Sequence, residues 1–292
     1  EEALDFLKAE SLHLRLVLET HAHADHLSGA QLIKRVYPDA KLAIGAAPQL
    51  PVVPCRVVKW VVLVGSDSRE RVAAGIRHAV ASGCQIVSMS LGGLLGNQAL
   101  NRAVIVAYNH GVILVAAAGQ ETDRVTFPGR YVRTIACAAV GRDKAPWKKQ
   151  FWTDHPHEAA LIDVWAPGDD IPVATLPPDD ATTPAAGSSF SNFFDSASNS
   201  SASKGSSYAT AHVAAAAAMW LRHRDSEIAE TYPKPWQRVE AFRHLLKVSK
   251  GALRGLRPPN GTGLLNIEKL LKSDLPPPDT LTSAANGGRH VN

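Results

Sequence analysis

From Val57 to Ala139 the chain alternates short apolar runs bounded by glycine with longer stretches whose apolar residues recur at helical spacing. "VVKWVVLVG" (57–65), "CQIVSMSLGG" (84–93), "VILVAAAG" (112–119) and "VRTIACAAVG" (132–141) predict strands; "SRERVAAGIRHAVASG" (68–83) and "NQALNRAVIVAYNHG" (97–111) predict helices between them. Continuously apolar strands separated by amphipathic helices are what a parallel sheet covered on both faces requires, so the expected class is doubly wound α/β. Upstream, residues 12 to 45 read as strand ("LHLRLVLET"), loop, helix ("LSGAQLIKRVYP") and strand ("AKLAIGA"). The proline-rich "APQLPVVPC" after it reads as a linker, because proline cannot continue a ladder. Residues 176–204, rich in Pro, Ser, Asp and Asn, read as a long loop. Helices follow near 207–223 and 235–248, then a polar, flexible tail from Pro276.

Composition narrows the function classes. With 292 residues, 45% of them apolar, the chain can bury a sizeable core. The net charge of +4 is scattered, with no basic run carrying interleaved aromatics, which excludes a nucleic-acid-binding reading. The longest apolar run, Val213 to Leu221, is too short to span a bilayer. Cys55, Cys84 and Cys137 are odd in number, far apart and in no CxxC arrangement, so neither a disulfide framework nor a thiolate zinc site is expected. No signal peptide is visible and the first residue is not Met, the start expected of a processed or incomplete chain; secreted and cytoplasmic locations both stay open.

The candidate chemistry begins at "KGSSYATAHVAAAAAMWL", where Gly205 and Ser206 make a tight turn and Ser207 stands at the mouth of a helix. A helix N-terminus suits a nucleophile because its free N–H groups stabilise developing negative charge. Three upstream segments fall in a matching order: "CQIVSMSLGG", "GVILVAAAGQETDRVTFPG" (111–129) and "DVWAPGDDI" (163–171). With the late "GTGLLNIEKLL" (261–271), residues 55 to 275 resemble the subtilisin-like serine proteases, the subtilases. The resemblance implies that Ser207 is the nucleophile of an acyl-enzyme mechanism, and that Ser90, Leu91, Gly92 and Gly93 bind the substrate backbone. It also implies that the residue after "AAAG" donates to the oxyanion. The family has asparagine there; this chain has Gln120, the same donor on a stem one methylene longer. Losing one such donor costs on the order of 10²–10³ in rate. The substrate implied is a peptide or protein, and no cofactor is needed.

Two family motifs are missing. Neither an Asp-Ser/Thr-Gly nor a His-Gly-Thr pattern occurs in residues 1 to 60, so the orienting aspartate and the base are not where the family keeps them. That stretch holds "HAHADH" instead. Its His-x-His-x-Asp-His spacing lets neutral imidazoles and a carboxylate converge, a donor set suited to zinc or iron. With "LETHAHADHLSGAQLIK" and "AKLAIG" around it, the piece resembles the metallo-β-lactamase superfamily, its glyoxalase II and persulfide dioxygenase branch in particular. That resemblance implies His21 and His23 on one metal, with Asp25 and His26 serving a second metal or its water.

The sequence therefore predicts an α/β chain with a metallo-β-lactamase-like strand-helix-strand piece (1–47), a linker (48–56), a subtilase domain lacking its front (57–275) and a flexible tail (276–292). The function it predicts is a serine endopeptidase acting through Ser207, impaired by the absent Asp and His. Two alternatives stand beside it: a metal-dependent hydrolase or dioxygenase, and an inactive peptide-binding pseudoenzyme that keeps the "SLGG" edge for strand addition. Asp163 is expected to cap or pair locally, and "HPH" (155–157) to be a surface loop.

Overall fold

The computed structural model describes residues 16–19, 41–44, 53, 55–58, 60–172 and 202–284. Its centre is a four-stranded parallel sheet of β3 (Ile86–Met89), β4 (Ile113–Ala117), β5 (Ile135–Val140) and β6 (Val164–Pro167), hydrogen-bonded in that order. Each strand is short and almost wholly apolar, and alternate residues serve opposite layers. Ile113 and Val115 pack with α4 (Ser206–His223), α5 (Asp225–Thr231) and α6 (Pro235–Val248) on one face. Leu114 and Ala116 pack with α1 (Gly65–Ala81) and α2 (Gln98–Asn109) on the other. The period-two alternation along a buried strand thus builds the two helical layers.

The helices start where local chemistry allows. Asn97 caps α2 by accepting from the Leu100 N–H at 2.8 Å. α4 presents small residues inward: Ala209, Ala216 and Ala217 are fully buried, letting the helix lie close on the sheet, with Trp220 filling the space beyond. A third cluster packs Trp152, Val125 and Ile162 against Ala136, Ala138 and Val140 of β5 and Trp165 of β6.

Two further strands, β1 (Leu16–Glu19) and β2 (Lys41–Ile44), pair in parallel with each other in a sheet of their own, at the positions the hydrophobic pattern assigns to strands. "VVKWVVLVG" departs from its predicted strand. Val62 makes a single parallel bridge to Gly92, α1 already begins at Gly65, and Trp60, Val62 and Val64 are exposed. The short pieces β7 (Ile171–Pro172) and β8 (Ala202–Ser203) pair antiparallel; most of the loop read over 176–204 lies outside the described residues.

Asp163 pairs across the fold. Its carboxylate accepts from Ala136 N–H at 3.0 Å and from Arg243 Nε of α6 at 3.1 Å, eighty positions away in sequence. Arg243 also donates to Glu240 and to the Val132 and Thr134 carbonyls, so one guanidinium ties α6 to the sheet. Burial pushes its pKa down, but the Glu240 and Asp163 charges outweigh that and hold it above the ordinary arginine value. Residues 276–284, read as the start of a flexible tail, carry specific contacts. Tyr232 Oη donates to the Pro276 carbonyl at 2.8 Å, Gln237 Nε2 to that of Pro278 at 3.1 Å, and Ala284 N–H to Tyr108 Oη at 2.9 Å. Polar composition hides these bonds because proline carbonyls accept as well as any other. No described helix is long and apolar enough to cross a membrane.

Candidate functional site

The site is assembled around the first turn of α4. Gly205, the N-cap residue, has φ +153° and ψ 152°, a conformation that side-chain-bearing residues rarely adopt. The turn is clasped from "DVWAPGDDI": Gly205 N–H donates to the Gly168 carbonyl at 2.7 Å, and Gly168 N–H to that of Val140 at 3.0 Å. A Cβ on Gly168 would stand 2.6 Å from Ala139 Cβ and 2.8 Å from the Gly205 carbonyl oxygen, so only glycine allows this approach. The "APG" and "GSS" motifs, nearly forty residues apart, are two halves of one backbone contact.

Gly205 has no side chain with which to cap α4, and Gln120 supplies the missing group from the loop after β4. Its Oε1 accepts from Ser206 N–H at 3.1 Å and from Ser206 Oγ at 3.3 Å. A backbone N–H can only donate, so the carbonyl end of this amide faces the helix and Nε2 is its donor end. Capping across the fold by a remote glutamine is a feature the sequence reading missed; the "AAAG" context marks the position but not which end of the amide engages.

Ser207 follows in the first turn, half-buried, its N–H among those with no intrahelical acceptor. Ser90, just past the end of β3, donates its hydroxyl to the Ser207 carbonyl at 3.1 Å. Three sequence-predicted residues, Ser207, Gln120 and Ser90, therefore come together from segments spread over 118 positions of sequence. On the same helix, His212 turns its Nδ1 to the Tyr208 carbonyl at 2.8 Å.

The rest of "SLGG" is engaged within the chain. Gly92 N–H donates to Val61 O at 2.9 Å and Gly92 O accepts from Leu63 N–H at 2.8 Å, while Gly93 exchanges both of its groups with Phe127. Leu91 packs against the α1–α2 core. Before a peptide could add to the backbone of Gly92, Val61–Leu63 would have to leave it.

His21, His23, Asp25 and His26 lie outside the described residues. Among the described residues no group of three or more His, Cys, Asp or Glu is placed to hold a metal. His157 is exposed on a short helix, α3 (Pro156–Ala159), and its neighbour Glu158 is buried, accepting from Val125 N–H at 2.8 Å and from Arg130. Burial raises the Glu158 pKa, but these bonds and the Arg130 charge overcome that and hold it below the ordinary glutamate value. The "HPH" stretch thus lies at the surface as expected, but it opens a short helix instead of forming a loop.

The profile of the Subtilase family matches residues 12–263, most of the chain. This chain belongs to the subtilase family. Among curated subtilases, thermitase of Thermoactinomyces vulgaris is 33% identical over 149 residues, 51% of this chain and 50% of that protein. The subtilisin of Bacillus pumilus is 30% identical over 208 residues, 70% of this chain and 66% of that protein. The chain thus spans between half and two thirds of these relatives. The solved structure of the prenylagaramide maturation protease PagA shares the fold, with a TM-score of 0.56 at 18% identity, covering 89% of this chain and 86% of that one.

Proposed function

We propose that the chain is a serine-type endopeptidase that cleaves peptide bonds through an acyl-enzyme on Ser207, with low activity because the family's Asp and His motifs are absent. The observation that carries this reading is the construction of the Ser207 turn: Gly168 clasps it, Gln120 caps it and Ser90 holds its carbonyl, all from separate segments. Such convergence on one serine exceeds what an ordinary helix start needs. In the proposed reaction Ser207 Oγ attacks the scissile carbonyl, its proton passing to a base. The oxyanion faces the Ser207 N–H and Gln120 Nε2. Acyl transfer of this kind draws on no cofactor.

The base is the weak link. The family match begins at residue 12 and so includes the histidine cluster, while β1 and β2 flank that cluster in a sheet separate from the main one. We read residues 1–47, on their "HAHADH" motif, as a piece of metallo-β-lactamase type joined through 48–56 to the subtilase region 57–275. Zinc or iron at His21, His23, Asp25 and His26 would belong to that piece and not to the protease chemistry. Pairing of the Gly92 and Gly93 backbone within the chain bears equally on substrate binding by a protease and on the peptide-binding pseudoenzyme, so labelling of Ser207 is what separates the two.

Fluorophosphonate labelling mapped to the modified peptide tests the proposal on wild type and on His21→Ala, His23→Ala and His26→Ala. Slow labelling at Ser207, indifferent to the three replacements, is the expected outcome. Loss of labelling in one variant would instead make that histidine the base and the enzyme complete. A folded wild-type chain that takes no label would end the protease reading.

Gln120 gives an independent check. Gln120→Ala should lower peptide turnover by about 10²–10³, a magnitude taken from an oxyanion donor in subtilisin itself, with KM little changed. Gln120→Asn restores the family's side chain and should equal or exceed wild type in kcat. If Gln120→Ala turns over as wild type does, Gln120 is only a cap.

A further inference from the structure

Gln120 stands between two residues whose backbone is left-handed, Gly119 at φ 91° and Glu121 at φ 55°. Residues with side chains rarely adopt that region, and Glu121 carries one, so the surrounding structure must hold the loop in place. Both neighbours are held from a single segment. The Trp152 indole Nε1 donates to the Gly119 carbonyl at 3.0 Å, and Glu121 N–H donates to the Lys149 carbonyl at 2.6 Å. The two peptide groups on either side of Gln120 are therefore each tied to residues 149–152. Lys149 Nζ also donates to Glu121 Oε1 at 2.8 Å, a second tie on that side.

The segment that holds the loop is itself fixed to the sheet. Gln150 is fully buried; its Oε1 accepts from Ala139 N–H at 2.7 Å and its Nε2 donates to the Ala139 carbonyl at 2.8 Å. Its amide pairs with β5 as a peptide group of a neighbouring strand would. Trp147 N–H donates to the same carbonyl at 3.0 Å, and Trp152 is sealed in the cluster with Ile162 and Trp165. A run of bonds thus leads from β5 through residues 147–152 to both sides of Gln120, and from the Gln120 amide to Ser206, the residue before the nucleophile. Glutamine needs this more than asparagine would, because one more side-chain torsion separates its amide from the backbone.

The geometry points to Trp152 as a positioning residue for Gln120: its indole N–H, together with the Lys149 carbonyl, fixes the peptide groups around Gln120 and so aims the donor end of the amide. This rests on the reading of Ser207 as nucleophile and Gln120 as oxyanion donor, and adds the group that aims the donor. Trp152 bonds to the loop and not to the reacting serine, so it acts only through Gln120.

Trp152→Phe keeps an aromatic ring in the cluster and removes the donor. In the full chain, kcat for a peptide should fall about tenfold with KM unchanged, since misplacing an aligned group by ~1 Å costs up to about 10²-fold. In the Gln120→Ala background the same replacement should change kcat by no more than about twofold, because the group it aims is gone. Equal falls in both backgrounds would make Trp152 purely structural and overturn the proposal, as would an unchanged kcat in Trp152→Phe alone. The ¹H–¹⁵N spectrum gives a readout that needs no turnover. The Gln120 side-chain amide pair, assigned by its absence from Gln120→Ala, should stand apart from solvated glutamine amides in wild type and move towards them in Trp152→Phe. A pair that does not move overturns the proposal whether or not the wild-type chain cleaves peptide. A pair that moves in a chain whose Ser207 takes no fluorophosphonate separates the two readings: the aiming of Gln120 stands and the protease reading falls. If Trp152→Phe does not fold, Glu121→Gly tests the other side, since glycine takes φ 55° without strain and loses only the side-chain tie to Lys149. Its thermal midpoint should stay near that of wild type while the Gln120 amide pair moves; an unmoved pair there also overturns the proposal.

Discussion

Ser207→Ala is expected to abolish fluorophosphonate labelling outright while leaving unfolding within about 0.5 kcal/mol of wild type. The side chain is half-buried, and the bond that ties this residue to Ser90 uses its backbone carbonyl, which alanine keeps. The accompanying change in peptide turnover measures how complete the machinery is. In a full triad, removing the serine costs on the order of 10⁶ in kcat, a figure measured on subtilisin. Where no base is present, the turn and its donors contribute only about 10³–10⁴ over water, and that part survives loss of the hydroxyl. A small change in turnover together with complete loss of labelling is therefore the result expected of an impaired enzyme. A millionfold loss would show that a histidine reaches Ser207 after all. Labelling that persists in Ser207→Ala would place the reactive nucleophile elsewhere.

The second large effect is on stability. Arg243→Ala should lower the free energy of unfolding by about 3–5 kcal/mol, measured by urea or thermal denaturation. Asp163 is 1% exposed and Arg243 8%, so removing the guanidinium takes the paired positive charge away from a carboxylate deep in the sheet. Two carbonyls, of Val132 and Thr134, lose a donor at the same time. Arg243→Lys should recover part of the loss, since an ammonium keeps the charge but cannot reach four acceptors with the planar geometry of the guanidinium. Asp163→Asn combined with Arg243→Ala should cost less than the two single losses added, because the stranded charge is gone. A loss under about 1 kcal/mol in Arg243→Ala would mean that the network is incidental to stability.

Much of this was legible in the sequence. Apolar runs bounded by glycine placed β3, β4 and β5, because a strand buried on both faces has to be apolar throughout and few other settings allow that. Helical spacing placed α2, α4 and α6, the last with the bounds read from its pattern. The turn at Gly205–Ser207 was visible because positive φ and close approach demand glycine and small residues, and those demands are local. What the chain does with distant partners was not visible. Gln120 stood out as an oxyanion donor, but nothing local showed that its carbonyl end caps α4, whose N-cap glycine has no side chain to do so. Asp163 looked like a local cap and is the buried anchor of α6. The "SLGG" edge looked open and is filled at Gly92 and Gly93 by Val61–Leu63 and Phe127. Periodicity and turn chemistry act over a few residues, so the sequence by itself determined the elements and the nucleophile turn. Which polar group meets which across the sheet depends on register and layer packing, and only the tertiary structure decided that.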